Sequence, residues 1–323
     1  MLQDELAAAV DAVVLASKLC TSVQESLIDE QTAIKKDRSP VTIADYGAQA
    51  ITSHVLKGRF PDIPIVGEEN AAALRENAEQ RAMVVEQVNR YIDLSETQVL
   101  EAIDGCADEG GAQGRRWVLD PIDGTKGFLR KEQYAVALGL LEDGVPVLGV
   151  LGCPNLPSTA APQNRGCLFS AVRGQGARQL DMAGGAARPI AVSDLTDVRQ
   201  AACCESVESG HSAHDHQAQV KARLGIEAEP VRIDSQCKYG AVARGEASIY
   251  LRLPTSDTYR EKIWDHAAGW AVVTEAGGRV TDVRGNDLDF SLGRTLDTNR
   301  GVIATNGSLH DEVLGAVRAV LEG

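Results

Sequence analysis

Residues 117 to 125 read Trp-Val-Leu-Asp-Pro-Ile-Asp-Gly-Thr, an apolar run ending in two aspartates held by proline and glycine. Pro121 fixes its own φ and biases Asp120 toward extended geometry, while Gly124 permits a sharp bend. Asp120, Asp123 and the Ile122 carbonyl can therefore converge. Convergent hard oxygens are what Mg²⁺ prefers. Gly124-Thr125-Lys126-Gly127 then offers backbone N–H groups at an expected helix start, a cradle for phosphate. The G-x-x-x-x-G-K-[ST] spacing is absent, so nucleoside triphosphate hydrolysis is not supported.

Alone, that segment reads as an Asp-rich turn capping a helix. Two further sites change the balance. Gly67-Glu68-Glu69-Asn70 follows the strand-like run Ile63 to Val66, and Trp264-Asp265-His266-Ala267-Ala268-Gly269 sets an aspartate at a helix N-terminus. Each has a plain reading, a solvated loop for the glutamates and an N-cap for Asp265. Three carboxylate sites in one chain are far less expected by chance.

The elements that must position these groups follow from periodicity. Leu2, Leu6, Val10, Val13 and Val14 predict an amphipathic first helix, and residues 45 to 56 a second. A polar helix is expected from about 71 to 91, and Ser95-Glu96-Thr97-Gln98 is a capping box opening another. Residues 116–119 form a strand, 134–141 and 145–151 a hairpin, and 167–172 extend that sheet. The first half therefore reads as helices on a largely antiparallel sheet. Residues 181–189 are the candidate linker. Beyond it, strands near 231, 248–253, 279–281 and 301–305 alternate with helices from Ser235, from Trp264 to Ala276, and a closing helix capped by Ser308. This alternation favours a layered α/β second domain, so the expected domains are 1–185 and 186–323.

With 32 Lys+Arg against 46 Asp+Glu in 323 residues, the net charge is −14, which argues against a nucleic-acid or anionic-membrane surface. A polyanionic substrate must then be met locally. The uncharged stretch from Gly144 to Asn164 holds four prolines and cannot be a membrane span. Residues 1–20 carry three acids and one lysine, so neither a secretory signal nor an Arg-rich transit peptide is visible; a processed precursor stays open. Seven cysteines without a C-x-x-C pair read as reduced thiols in a cytosol-like compartment.

In order along the chain, Gly-Glu-Glu, then Asp-Pro-Ile-Asp-Gly-Thr, then Trp-Asp before a helix ending in Gly277-Gly278, resemble the lithium-sensitive, Mg²⁺-dependent phosphatase superfamily of inositol monophosphatase and fructose-1,6-bisphosphatase. The closer resemblance is to the 3'(2'),5'-bisphosphate nucleotidase branch and spans nearly the whole chain. It is carried by Asp37 to Tyr46, Lys126-Gly127-Phe128-Leu129-Arg130, Ser206-Val207-Glu208 with His211-Ser212, Val231 to Gly240, and Tyr259 to His266.

The resemblance implies a layered αβαβα sandwich and a cytoplasmic, monomeric enzyme of the α/β class. Its metal ligands map onto Glu68, Asp120, the Ile122 carbonyl, Asp123 and Asp265, holding two to three Mg²⁺, with Asp45 and Thr125 orienting and deprotonating water. Its substrate contacts map onto Gly124, Thr125, His211, Ser235, Lys238, Arg252 and Asp265. Ser235 and Lys238, three apart on an expected helix, share a face, and a basic pair of Lys238 with Arg252 suits a 5'-phosphate that stays on the product. For Asp45 the residues alone say helix N-terminal acid. For His211 they leave open a surface loop or a metal site with His214 and His216, although no fourth ligand stands at a convincing spacing.

The implied activity is hydrolysis of the 3'-phosphate of adenosine 3',5'-bisphosphate to AMP and phosphate, with action also on 3'-phosphoadenosine 5'-phosphosulfate. The rival enzyme is an inositol monophosphate or inositol 1,4-bisphosphate phosphatase on the same metal core. The rival from another class is a catalytically silent nucleotide or Mg²⁺ sensor, disfavoured because no metal or water-activating position is replaced.

Overall fold

The computed structural model describes residues 2–30, 40–159, 165–182, 186–207, 214–256 and 258–322. Helix α1 (Gln3–Glu30) buries Ala9, Val13, Ala16, Cys20 and Val23, a stripe with steps of three and four. That stripe packs on α2 (Pro40–Arg59), which starts with proline in its first turn, where no intrahelical N–H is needed. Among the described residues, α1 is the one helix long and apolar enough to cross a membrane, but it contributes to the core against α2 and the first sheet.

The chain then lays down β1 (Ile65–Gly67), α3 (Ala72–Glu76), α4 (Ala78–Asn89), α5 (Glu96–Asp104) and β2 (Arg115–Asp123). The single helix expected over 71–91 is split because Asn77 adopts an extended conformation and its side chain accepts the Gln80 N–H, capping α4. The capping box at Ser95 forms as expected. After α6 (Thr125–Leu129) come β3 (Ala135–Glu142), β4 (Val145–Pro157), β5 (Arg165–Val172), β6 (Ala177–Asp181) and β7 (Arg188–Ile190). These strands make one seven-stranded sheet in sequence order, antiparallel except where β1 joins β2. The β3–β4 hairpin turns through Asp143 and Gly144, both at positive φ (50° and 74°). The expected linker over 181–189 is partly a strand, since β7 pairs with β6.

The second sheet has the order β11-β12-β10-β8-β9, formed by β8 (Cys203–Glu205), β9 (Val231–Arg232), β10 (Ile249–Arg252), β11 (Arg279–Thr281) and β12 (Val302–Thr305). Four helices accompany it: α7 (His214–Leu224), α8 (Cys237–Ala243), α9 (Ala267–Glu275) and α10 (His310–Leu321). Ser308 does not cap α10. The cap residue is Leu309, and the turn into the helix is held instead by Asn306 Oδ1, which accepts the Leu309 N–H.

Three cores define the layers. On one face of the first sheet, Trp117, Leu119, Val136, Leu138 and Leu140 meet α1 and α2. The alternate residues Val118, Ala135, Ala137 and Leu141 face α8 and α9 and, beyond them, the second sheet. Its far face buries Ile249, Leu251 and Ile303 against α7 and α10. Period-two alternation with both faces covered thus yields helices, sheet, helices, sheet, helices, the αβαβα sandwich. Helix α9 lies close on the first sheet because Gly149 has no side chain: a Cβ there would stand 2.5 Å from the Ala268 carbonyl oxygen.

Candidate active site

In a regular strand Asp120 and Asp123, three apart, would point to opposite faces. Against β3, however, Asp120 pairs with Ala137 and Asp123 with Ala135, so β2 carries one extra residue between them. The extra residue lets both carboxylates sit opposite Ala137 and Ala135, which share one face of the sheet, and proline, which cannot donate to the ladder, is tolerated at such a position. Gly67 pairs with Leu119, so Glu68 leaves the sheet one residue on, beside Asp120. Asp265 ends a single 3-10 turn (Ile263–Asp265) leading into α9.

Gly124 adopts a left-handed conformation (φ 91°) and starts α6. A Cβ on it would lie 2.8 Å from the Ser235 Cβ. Ser235 itself stands at φ 67°, a strained position costing about 1 kcal/mol or more for a residue with a side chain. It is therefore not on a helix face with Lys238, as the spacing suggested; α8 begins two residues later, at Cys237. The turn is held by a 2.6 Å hydrogen bond from the Gln236 N–H to Asp123 Oδ2.

These elements enclose a cavity of about 210 Å³. Glu68, Asp120, Ile122, Asp123, Gly124, Thr125, Ser235, Lys238, Arg252 and Asp265 all line it. Asp45 is buried on α2 and is not part of that lining. His211 lies outside the described residues, as do Asp37 to Ser39 of the N-terminal motif.

The acidic wall is electrostatically overloaded. Burial, then the neighbouring Glu68 and Asp123 charges, push Asp120 well above the carboxylate range. Burial and Asp265 push Asp123 up to about 6, against the opposing pull of Lys238 and Arg252. Glu68 keeps solvent access at the mouth, yet burial of its carboxyl among protein atoms, with Asp265 and Glu69, raises it to about 7. Asp45 is raised by burial and by Glu69 and Glu68. Asp120 Oδ1 is fully buried and has no hydrogen-bond partner among the described residues. An all-oxygen cluster with an orphaned carboxylate oxygen and mutually raised acids fits a hard dication such as Mg²⁺.

The opposite wall is basic and internally paired. Lys238 Nζ donates to Ser206 Oγ and to the Ile233 carbonyl, both at 3.2 Å, and lies 5.2 Å from the Tyr250 ring centre. Burial lowers its pKa, partly offset by Asp123 and Asp234. Arg252 donates through Nε to Glu261 (2.8 Å) and through Nη2 to Asp265 (3.0 Å). Glu261 also faces His266 Nε2 at 3.1 Å, and His266 Nδ1 meets the Tyr239 hydroxyl at 2.7 Å. Glu261, Asp265 and His266 bring ligand-type atoms within 4.8 Å of one another. Arg252 and Tyr239 already satisfy this trio, which reads as an ion-pair brace behind the cavity. Burial opposes the Glu261 charge, but Arg252 and His266 outweigh it and hold the carboxyl below its ordinary range.

Three contributors escaped the reading of single residues: Glu261, the Gln236 N–H and Asp234. All lie inside motifs singled out in the sequence, but their partners are distant in the chain, and no local spacing reveals them. Gln49 is a fourth. It clamps the Glu69 backbone on both sides, accepting its N–H at 3.0 Å and donating to its carbonyl at 2.7 Å, and so fixes the loop that carries Glu68.

The protein-family model for the inositol monophosphatase family matches residues 1–322, and the chain belongs to that family. Within it, the chain is 48% identical over 98% of its length to a 3'(2'),5'-bisphosphate nucleotidase of Oryza sativa, covering 94% of that protein. A 3'(2'),5'-bisphosphate nucleotidase of Emericella nidulans is 45% identical, with 95% of this chain and 97% of that one covered. Among solved structures, an inositol monophosphatase from Anabaena superposes with a TM-score of 0.64 at 21% identity, covering 98% of this chain and 96% of its own. One from Zymomonas mobilis gives 0.66 at 20% identity, covering 98% and 99%. These two show the same fold.

Proposed function

We propose that this chain is a Mg²⁺-dependent phosphatase that hydrolyses the 3'-phosphate of adenosine 3',5'-bisphosphate to AMP and phosphate, and also accepts 3'-phosphoadenosine 5'-phosphosulfate. The observation that carries this reading is one cavity with an overloaded acidic wall facing a basic wall, in a chain 45–48% identical to relatives named for that activity. The acidic wall suits metal and the reacting phosphate. The basic wall suits a second phosphate that does not react.

Glu68, Asp120, the Ile122 carbonyl, Asp123 and Asp265 would hold two to three Mg²⁺. Bound there, Mg²⁺ supplies positive charge against the phosphoryl oxygens and acidifies water. Thr125, on the cavity wall at the start of α6, orients the attacking water through its hydroxyl and relays its proton toward Asp45. Asp45 suits the accepting role because burial and the nearby glutamates raise its proton affinity. Neither residue becomes a covalent nucleophile. Lys238 and Arg252 bind the 5'-phosphate, Ser235 and the Gly124 region position the rest, and His211 contacts the adenine. Residues 1–185 form the metal-binding part and 186–323 the nucleotide-recognition part of a cytoplasmic monomer.

A phosphate-release assay with Mg²⁺ on adenosine 3',5'-bisphosphate, 3'-phosphoadenosine 5'-phosphosulfate, inositol 1-phosphate and inositol 1,4-bisphosphate tests the reading. The adenosine bisphosphate should have the highest kcat/KM. Preference for an inositol phosphate refutes the assignment.

A further inference from the structure

Asp234 is a carboxylate in the wall of a cavity proposed to take a multiply charged anion. It is buried, with its side chain 7% exposed. Left unpaired, such a charge would repel the substrate through a low-dielectric medium. Its Oδ1 accepts the Val207 N–H at 3.0 Å, and its Oδ2 is paired with Arg130 Nη2. Arg130 follows α6 directly and is tied to it by its own N–H, which donates to the Lys126 and Phe128 carbonyls. It also meets Glu132 at 2.6 Å, but that side chain is 48% exposed and its charge is largely screened.

The pair joins residues 104 positions apart. On one side stands the metal loop with its single helical turn. On the other stands the 234–236 turn, which holds Ser235 at positive φ and sends the Gln236 N–H to Asp123. We propose that Arg130 is a positioning residue for the anionic substrate: it neutralises Asp234 and clasps the strained 234–236 turn onto the metal loop. Arg130 need not touch the substrate. This rests on the adenosine bisphosphate reading given above.

The test compares Arg130→Ala, Arg130→Lys and the double variant Arg130→Ala with Asp234→Asn, in the full chain with Mg²⁺. Thermal midpoints check that each folds, and two quantities are read: KM for adenosine 3',5'-bisphosphate and calorimetric affinity for AMP. Arg130→Ala should raise KM about tenfold or more by exposing the substrate to a buried carboxylate that has lost its ion-pair partner and keeps only the more distant Lys238 charge. Arg130→Lys, which keeps the charge, should stay within about threefold. The double variant should recover most of the loss in both KM and AMP affinity, because removing the unpaired carboxylate removes the repulsion. A merely structural clasp gives the opposite order, the double variant being no better than Arg130→Ala, and that result overturns the proposal. An unchanged KM in Arg130→Ala does so too. If Arg130→Ala does not fold, Arg130→Gln with and without Asp234→Asn carries the same comparison. Wild-type turnover of the bisphosphate without rescue in the double variant sinks the role given to Arg130 alone, whereas absence of wild-type turnover and of AMP binding sinks the functional reading with it.

Discussion

The two walls of the cavity handle charge in opposite ways. Glu68, Asp120 and Asp123 are partly or wholly buried beside one another as like charges, and their proton affinities rise together. Lys238 and Arg252 face carboxylates and carbonyls of their own half of the chain, and Arg252 is locked between Glu261 and Asp265. The acidic wall gathers like charges whose mutual repulsion a hard dication would relieve. The basic wall is pre-organised: its charges are already oriented by partners before any anion arrives. Chemistry and selectivity should therefore be separable by mutation, with Asp265 and its partner Arg252 the place where the walls touch.

The comparison breaks most severely at the acidic wall. Asp120→Asn and Asp123→Asn should each lower kcat by about a thousandfold, since each removes a charge asked to help hold metal against the phosphoryl group. The same variants should melt at or above the wild-type temperature in EDTA, because they relieve repulsion among unpaired acids. Calorimetry in chelator beside steady-state kinetics in Mg²⁺ reads both effects. Next, Thr125→Ala should lower kcat by about a hundredfold with little change in KM, as a lost proton relay does. A near-normal kcat would remove Thr125 from the chemistry.

At the basic wall, Lys238→Met should reduce kcat/KM for adenosine 3',5'-bisphosphate by about tenfold while affecting inositol 1-phosphate less, since that substrate lacks the second phosphate. Arg252→Ala should lower activity on both substrates, because it also releases Asp265. Equal effects of the two variants would erase the distinction between the walls.

The smallest effect is on stability. Asp123 is raised from 3.8 to about 6, so the folded state holds a proton that the unfolded chain gives up more readily. Its stabilising contribution is complete below about pH 4 and is lost as pH rises through about 6. Glu68 acts in the same direction through about pH 7, discounted for its solvent access. In EDTA the melting temperature should fall by roughly 5 °C between pH 5 and pH 8, and Mg²⁺ should remove the fall. A rise over that range contradicts the overloaded cluster.

Much of this arrangement is legible in the sequence where the information is local. Asp-Pro-Ile-Asp-Gly announces converging oxygens, the Asp-Gly turn announces the β3–β4 hairpin, and Ser95 with Gln98 announces α5. What local spacing cannot give is which chain-distant groups meet. The register shift that sets Asp120 and Asp123 opposite same-face residues depends on pairing with β3, and the left-handed Ser235 packs directly against Gly124. Both involve tertiary contacts, and the second replaces the helix expected from Ser235 with a turn, α8 starting only at Cys237. The Arg252–Glu261–His266 brace is hidden for the same reason, although each member lies in or beside a motif that stands out by eye.

The most direct measurement is phosphate release by the wild-type chain from adenosine 3',5'-bisphosphate and from inositol 1-phosphate, side by side, in Mg²⁺ and in EDTA. The expected result is Mg²⁺-dependent turnover with a clear preference in kcat/KM for the adenosine bisphosphate and no turnover of either compound in chelator. Undiminished activity in EDTA, or a preference for inositol 1-phosphate, would contradict the division of the cavity into a metal wall and a second-phosphate wall.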